Sequence, residues 1–322
     1  MIEILILVGS LLVGLVLMVI ASDRAVRNAE TLALSLGVPQ LLIGLFVLSI
    51  GTDMPEIAAS LISAITGHGD IVAGDALGSC LTQITLVLGI LPFLASKLKV
   101  KRENILYVGG GAVLSIVIAI LVMQDGFISR LDALFLILSW AVLMFIISGR
   151  IKPVSKIPPN KTGLFRKVIY LLTDFAIVGF GAYITVTAII GISNILGLPE
   201  FLISFFGASL GTSLPELAID ITAVRRKKFQ LAVGDILGSN IVDATLALGA
   251  GPLIVPVMIS AAIAVTTGWY VLLTTIIVVA LLAYTKKLDR RIGLLLILIY
   301  LGAYLLIPFF DITGIIASIG WG

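Results

Sequence analysis

The chain has 322 residues, of which 60% are hydrophobic and 12% are charged, and its mean hydropathy is +1.21. Soluble domains carry roughly 25% charged residues, so this composition excludes an ordinary soluble protein and predicts a polytopic membrane protein. The single cysteine, Cys80, excludes a disulfide framework and a cysteine-based zinc site. The net charge of +3 is explained by basic loops of a membrane protein and requires no nucleic-acid partner.

Ten hydrophobic segments, separated by charged or Gly/Pro-rich breaks, are long enough to cross a bilayer as helices. The first half of the chain holds five of them, at about residues 2–22, 39–66, 70–96, 105–123 and 131–148. The second half holds five more, at about residues 167–191, 199–224, 230–257, 265–284 and 291–308. We therefore predict an all-α polytopic membrane protein with ten transmembrane helices, which we number as spans 1 to 10.

The basic residues predict the orientation of these spans. Every Lys and Arg except Arg130 falls in the loop between spans 1 and 2, 3 and 4, 5 and 6, 7 and 8, or 9 and 10, or is the first residue of the span after it. Because cytoplasmic loops carry an excess of Lys and Arg, these five loops are expected in the cytoplasm and both termini outside. The predicted location is the cell membrane, and we expect a monomer whose partners are the lipid bilayer and inorganic cations.

The two halves of the sequence repeat each other at a fixed offset. IGTDMPEIAAS (Ile50–Ser60) matches LGTSLPELAID (Leu210–Asp220), and GDALGSCLTQ (Gly74–Gln83) matches GDILGSNIVD (Gly234–Asp243). Each half holds five predicted spans, an odd number, so the halves enter the membrane in opposite senses. Such an inverted repeat is typical of secondary transporters. The predicted domains are a first repeat at residues 1–149 with its motif at 49–92, a cytoplasmic linker at 150–164, and a second repeat at 165–322 with its motif at 209–252.

Spans 2 and 7 carry a proline close to carboxylates. Proline lacks a backbone N–H and clashes with the carbonyl four residues earlier, so Pro55 and Pro215 should remove hydrogen bonds to the carbonyls of Gly51 and Gly211. Such a carbonyl in lipid is unfavourable by several kcal/mol unless another polar group or a cation replaces the lost bond. We expect spans 2 and 7 to be broken helices. The segments that begin at Asp53 and Ser213 also resemble capping boxes.

Spans 3 and 8 place polar side chains at i, i+4 and i+8, on one helix face. These stripes are Asp75, Ser79 and Gln83, and Asp235, Ser239 and Asp243. With the broken spans they can converge near the bilayer midplane. The candidate cation-binding residues are Thr52, Asp53, Glu56, Ser79 and Gln83 from the first half, Thr212, Ser213, Glu216, Ser239 and Asp243 from the second, and backbone oxygens near Ser49 and Ser209.

These ligands are all hard oxygens, which suit Ca²⁺ and Na⁺ better than zinc or copper. We expect Ca²⁺ at Glu56 and Glu216, with Thr52 and Thr212. A charged side chain at the centre of a membrane helix is unfavourable by roughly 2.5–3.5 kcal/mol, which argues against a purely structural role for the carboxylates. We predict that Asp75 and Asp235 form hydrogen bonds to the ligands and do not contact the ion themselves.

The motifs resemble the two α-repeats of the cation/Ca²⁺ exchanger superfamily, nearest to the prokaryotic type of the sodium/calcium exchanger branch. The resemblance covers nearly the whole chain, and the signature of the vacuolar-type proton/calcium branch fits less well. It implies a secondary antiporter, not an enzyme, that exchanges Ca²⁺ for Na⁺ by alternating access and needs no cofactor. In this mechanism spans 1 and 6 slide across the other helices. The resemblance also implies cation binding by the motif residues Glu56, Glu216, Thr52, Thr212, Ser213, Ser79, Ser239, Gln83 and Asp243.

The sequence departs from the family pattern at a few positions. Asp53 stands where serine is usual, Gln83 where asparagine is common, and Asp75 and Asp235 where asparagine is frequent. Because Asp53 adds a negative charge, H⁺ or K⁺ is an alternative coupling ion, and a divalent cation such as Mg²⁺ or Mn²⁺ is an alternative to Ca²⁺. Two further alternatives are a passive channel and, more remotely, an intramembrane aspartyl protease. The protease would leave the duplicated proline turns unexplained.

The predicted orientation can be tested with single cysteines in a chain that carries Cys80→Ala. A membrane-impermeant maleimide added to intact cells should label Asp125→Cys, between spans 4 and 5, and leave Ser155→Cys in the linker unlabelled. Permeabilised cells should show labelling at both positions. The opposite pattern in intact cells would place both termini in the cytoplasm.

Overall fold

A computed structural model of the chain describes residues 2–35, 49–95, 97–99, 102–149, 164–225, 227 and 229–319. The helices of the first half are α1 (Ile2–Ser35), α2 (Ser49–Thr52), α3 (Met54–Thr66), α4 (Gly69–Leu81), α5 (Leu88–Leu94), α6 (Arg102–Met123) and α7 (Arg130–Ser148). The helices of the second half are α8 (Leu164–Leu196), α9 (Glu200–Ile203), α10 (Ser209–Thr212), α11 (Leu214–Arg225), α12 (Phe229–Ile241), α13 (Leu248–Ile254), α14 (Ala261–Thr285) and α15 (Arg290–Ile319). Three π-helical segments, Thr82–Val87, Ser204–Ala208 and Val242–Ala247, continue helices through the middle of spans 3, 7 and 8.

Nine helical stretches of the described residues are long and apolar enough to cross a membrane. They are Ile2–Ala25, Gly69–Leu94, Arg102–Met123, Arg130–Ser148, Phe165–Leu196, Glu200–Arg225, Ala232–Ile254, Ala261–Thr285 and Arg290–Ile307. Each overlaps one of the predicted spans. Predicted span 2, residues 39–66, is described only from Ser49 onward, as α2 and α3. The predicted linker lies outside the described residues, except for Leu164.

Helices α1 and α8 are longer than the apolar segments that predict them. Helix α1 continues to Ser35, whereas hydropathy alone ends span 1 near residue 22. Its extension is polar and stays helical, and an exposed ion pair between Asp23 and Arg27, one turn apart, adds a small stabilisation. Asp174 of α8 lies 3.1 Å from Nε of Arg24 and accepts a hydrogen bond of 2.5 Å from Asn28. These contacts join the polar ends of α1 and α8.

Two short antiparallel strand pairs show the inverted repeat directly. Strand β1 (Lys97–Lys99) pairs with β4 (Lys287–Asp289), and β2 (Phe127–Ile128) pairs with β3 (Val257–Met258). The offset of the repeat maps β1 onto β3 and β2 onto β4, so one pair is the copy of the other. A single membrane helix, α6, separates β1 from β2. The two copies therefore lie on opposite faces of the membrane, as an inverted repeat requires.

The apolar core contains side chains from both repeats. Its buried members include Leu77, Ile120, Phe201, Leu248 and Val271. Large apolar side chains on the outer faces of the helices are exposed, which is the arrangement expected where lipid replaces water. The core thus encloses the middle of spans 3 and 8, where the polar motifs lie.

Helices α1 and α8 cross where two glycines face each other. A Cβ atom on Gly181 would lie 2.7 Å from Cγ of Met18 and 2.9 Å from the carbonyl oxygen of Gly14. Small residues let membrane helices approach closely, and packing between such helices depends on this approach. Helix α1 also contacts α2 and α10, and α8 contacts α3. The crossing therefore sets how the long helices lie against the broken ones.

We predict that Gly181→Ala lowers the thermal stability of the purified protein, because the added methyl group forces α1 and α8 apart. Overpacking of this kind typically destabilises by roughly 1–3 kcal/mol. Gly179→Ala is the matched control, since a Cβ atom there has no atom within 4 Å. Both substitutions raise helix propensity by the same amount. The difference between their thermal midpoints in detergent therefore reports the effect of the contact between α1 and α8. Equal midpoints would contradict the close crossing.

Candidate cation site

The two proline turns have matching backbone conformations. Helix α2 ends before Asp53, at φ −80° and ψ 10°, and α10 ends before Ser213, at φ −79° and ψ 6°. New helices begin at once, since the N–H groups of Ile57 and Leu217 donate to the carbonyls of Asp53 and Ser213 at 3.0 and 3.2 Å. The predicted breaks in spans 2 and 7 are thus confirmed, and each is one residue long.

The predicted capping boxes are wrong. Asp53 occupies the N-cap position of α3 but its side chain makes no capping hydrogen bond. The hydroxyl of Ser213 has no hydrogen-bond partner among the described residues. The physical reason is clear at Asp53, whose carboxylate lies in a group of acidic side chains instead of against its own helix end.

This acidic group consists of Asp53, Glu56 and Asp243. Each of the three offers a carboxylate oxygen, and these oxygens all lie within 4.8 Å of one another. All three side chains are buried, with at most 1% of the residue exposed. Asp53 and Glu56 come from the first proline turn, whereas Asp243 comes from the π-helical segment of span 8. The two repeats therefore both contribute to one compact set of hard oxygen ligands.

A line of polar side chains runs from this group to the second proline turn. The Ser79 hydroxyl donates to Oε1 of Glu56 at 3.3 Å and lies 3.4 Å from the Thr212 hydroxyl oxygen. Thr212 in turn lies within donating distance of Oδ1 of Asp75, at 3.4 Å. Asp75 therefore contacts Thr212, a candidate ligand, and its role behind the ligands stays a prediction.

Glu216 is buried in the same region but does not belong to the group of three among the described residues. It lies close enough to Glu56, Asp53 and Asp243 for their charges to act on it. Neither of its carboxylate oxygens has a hydrogen-bond partner in the described part of the chain. The structure thus places Glu216 beside the acidic group and not within it. The sequence, by contrast, predicts that Glu56 and Glu216 both bind the ion.

The remaining predicted ligands differ in their surroundings. The Ser209 hydroxyl donates to the Phe205 carbonyl one turn back, and the Ser209 carbonyl accepts the N–H of Ser213 at 3.1 Å. The Ser239 hydroxyl is buried and has no partner among the described residues, and Thr52 is fully buried. Asp235 is 8% exposed, and its Oδ2 atom also has no hydrogen-bond partner among the described residues. The side chain of Ser49 lies outside the described residues.

The buried carboxylates have no basic counterpart among the residues that the structure describes. Within the described ranges, no Lys, Arg or His forms an ion pair with Asp53, Glu56, Glu216 or Asp243. Ionised carboxylates in a low-dielectric interior require a positive partner, which leaves a bound cation or a proton as the compensating charge. The donor set, carboxylates and hydroxyls without thiolate or imidazole, fits hard cations.

Asn240 is a buried site residue that the sequence reasoning missed. Its amide nitrogen donates to Oε1 of Gln83 and to the Ile236 carbonyl, both at 3.0 Å. The equivalent residue in the first repeat is Cys80, which has no amide group. A comparison of the two halves therefore does not indicate a role for Asn240. The signal available was its place between Ser239 and the aspartate that ends GDILGSNIVD.

The π-helical turns that carry Gln83 and Asp243 were also not predicted. Each is accompanied by a threonine hydroxyl that donates to the carbonyl one turn back, from Thr85 to Leu81 at 2.5 Å and from Thr245 to Ile241. A π turn adds a residue to the helical turn and often occurs at functional sites. It therefore changes the direction of the side chains on the polar stripes relative to a regular α-helix.

Comparison with known proteins decides the family. The model of the family described as "Sodium/calcium exchanger protein" matches the chain twice, over residues 6–149 and 167–310. The chain belongs to this family. Inner membrane protein YrbG of Escherichia coli (strain K12) is 32% identical over 305 residues, covering 89% of this chain and 92% of that protein. Sodium/calcium exchanger MaX1 of Methanosarcina acetivorans is 26% identical over 348 residues, covering 93% and 97%.

Solved structures agree with this assignment. The sodium-calcium exchanger NCX_Mj is 27% identical, with a TM-score of 0.64 over 94% of this chain and 99% of that one. The H⁺/Ca²⁺ exchanger CAX shares the fold, with a TM-score of 0.77 at 17% identity over 98% and 87%. These likenesses confirm an all-α membrane protein of ten helices in two inverted repeats with broken spans 2 and 7. This exchanger family consists of transporters, which favours transport over the protease alternative, and it supports a plasma-membrane location.

We predict that Asn240→Ala weakens Na⁺ binding by roughly 5- to 150-fold, since leaving the buried Gln83 oxygen without its donor is unfavourable by about 1–3 kcal/mol. The Na⁺ concentration that displaces ⁴⁵Ca²⁺ from the purified protein measures the loss. Cys80→Ala, at the equivalent position of the first repeat, should change affinity little. The double variant with Gln83→Ala should be no weaker than Gln83→Ala alone, and additive losses would show that Asn240 does not act through Gln83.

Proposed function

We propose that this exchanger moves Ca²⁺ against Na⁺ through one shared site at the midplane. The observation that carries the proposal is the group of Asp53, Glu56 and Asp243, whose carboxylate oxygens lie within 4.8 Å of one another in the buried middle of the protein. Three carboxylates at this spacing match the flexible oxygen shell of Ca²⁺. Glu216, Thr52 and Thr212 complete the proposed Ca²⁺ site, and Na⁺ uses overlapping oxygens at Ser79, Ser239, Ser213 and Gln83 and near Ser49 and Ser209.

Competition for the same carboxylates couples the two ions. An empty site carries several negative charges that no described basic residue compensates, and moving it across the low-dielectric barrier is strongly unfavourable. The site therefore changes sides only when bound cations offset much of this charge. This requirement prevents uncoupled return and makes the transporter an exchanger.

Helices α1 and α8 are the proposed moving elements of alternating access. They lie along each other, and α1 contacts both broken helices, with Leu15 against Gly211 in the second proline turn. A shift of this helix pair would cover one side of the turns and uncover the other. The polar contact of Arg24 and Asn28 with Asp174 would make the two helices move together.

A second candidate is exchange of a divalent cation against H⁺ or K⁺. Asp53 favours it, since this extra carboxylate lies inside the acidic group and could itself carry the compensating proton. Sodium coupling is preferred as the main proposal because the matching family is that of sodium/calcium exchangers.

Proteoliposomes test the proposal. ⁴⁵Ca²⁺ uptake should follow an imposed Na⁺ gradient and should not follow K⁺ or pH gradients of equal size. Glu56→Gln and Glu216→Gln should each abolish uptake, because each removes an anionic oxygen ligand of the transported ion. Uptake that follows only a pH or K⁺ gradient would select the second candidate.

Glu103→Gln is the matched control, since Glu103 is an exposed carboxylate at the start of α6 and should leave uptake unchanged. Undiminished uptake by Glu56→Gln would reject the midplane site. Uptake that needs no counter-gradient in the unmodified protein would indicate a channel.

A further inference from the structure

A second pair of buried carboxylates lies on α11 and α12, outside the proposed midplane site. Asp220 is fully buried, and neither of its oxygens has a hydrogen-bond partner among the described residues. Asp235 is 8% exposed and its Oδ2 is also unpartnered there. The helices that carry them, α11 and α12, pack against each other. The midplane mechanism uses neither side chain as a ligand.

The helix positions fix where this pair lies. Asp220 follows Glu216 by one helical turn on α11, and Asp235 precedes Ser239 by one turn on α12. One turn corresponds to about 5.4 Å along the axis. The two helices pack against each other with only three residues between them, so Asp220 and Asp235 lie at matching depth. They are one turn from the midplane ligands toward Arg225, on the side that the basic loops predict to be cytoplasmic.

The first repeat has no such pair. The residue equivalent to Asp220 is Ser60, whose hydroxyl oxygen accepts the Gly251 N–H at 3.1 Å where α3 packs on α13. The residue equivalent to Asp235 is Asp75, which is in contact with Thr212 beside the midplane site. The acidic pair therefore exists on one side of the membrane only, and the inverted repeat does not explain it.

We propose that Asp220 and Asp235 form a second cation site, which takes Ca²⁺ between the midplane site and the cytoplasm. Two carboxylates match the charge of one divalent cation, and no described basic side chain forms an ion pair with either of them. Apolar side chains flank Asp220 on its helix, including Leu217, Ile221 and Val224. In such surroundings two carboxylates without a compensating charge are strongly unfavourable.

This site gives the transporter a direction-dependent step. A cation leaving the midplane for the cytoplasm can pass from Glu216 to Asp220 without losing carboxylate ligation, whereas the pathway through the first repeat offers Ser60 at the equivalent position. The inference extends the proposed function, because it takes Ca²⁺ as the transported ion. Its test measures binding, which does not depend on exchange.

Equilibrium binding of ⁴⁵Ca²⁺ to the purified full-length protein in detergent is the experiment. The unmodified protein and Glu103→Gln should bind one more Ca²⁺ per chain than Asp220→Asn. Glu56→Gln should lose the midplane ion and keep the second, and Glu56→Gln combined with Asp220→Asn should bind none. Asp235→Asn should repeat the result of Asp220→Asn, which guards against misfolding of either single variant.

The outcomes separate this inference from the proposed function. Equal Ca²⁺ stoichiometry in the unmodified protein and both Asn variants would overturn the second site, even if Na⁺-driven exchange is intact. Loss of one ion in Asp220→Asn would support the second site, even if exchange proves to be coupled to H⁺ or K⁺. Asp220→Asn should also weaken Ca²⁺ activation from the cytoplasmic face only, and equal weakening on both faces would contradict the one-sided placement.

Discussion

The structure depends on one electrostatic constraint, the burial of several carboxylates inside a membrane protein without a basic side chain to neutralise them. Asp53, Glu56, Glu216 and Asp243 are all buried, and none has an ion-pair partner in the described part of the chain. In so low a dielectric this arrangement persists only with a proton or a cation present. Under the proposed mechanism, each cation that leaves the site must therefore be replaced by another.

The inverted repeat supplies the geometry for this neutralisation. Each repeat contributes a one-residue helix break and a π-helical turn that carries Gln83 or Asp243, and the two breaks have nearly the same dihedral angles. The halves are not equivalent in chemistry, however. The acidic group draws two carboxylates from the first repeat and one from the second, and only the second repeat has Asp220. The repeat thus sets the backbone arrangement of the site, and the residues that differ between the repeats distinguish the two sides of the membrane.

Local physics made much of the fold predictable. A run of about 20 apolar residues must be helical in lipid because its backbone groups have no other partners, and a proline must interrupt that helix. The duplicated motifs placed Glu56 and Ser79 together before any coordinates, and their hydrogen bond of 3.3 Å agrees. The capping boxes at Asp53 and Ser213 failed, because a local pattern cannot tell whether a side chain serves its own helix end or a distant partner.

By itself, the sequence determined the membrane class, the two repeats, the broken spans and the hard-oxygen character of the site, since each follows from composition or from spacing along one helix. Only the tertiary structure decided which carboxylates meet. It grouped Asp53 with Glu56 and Asp243, set Glu216 beside them, and brought Asn240 to Gln83. It also buried Asp220, whose two carboxylate oxygens have no hydrogen-bond partner among the described residues. These outcomes depend on how residues roughly 160 to 190 positions apart pack, and periodicity along one helix carries no information about that.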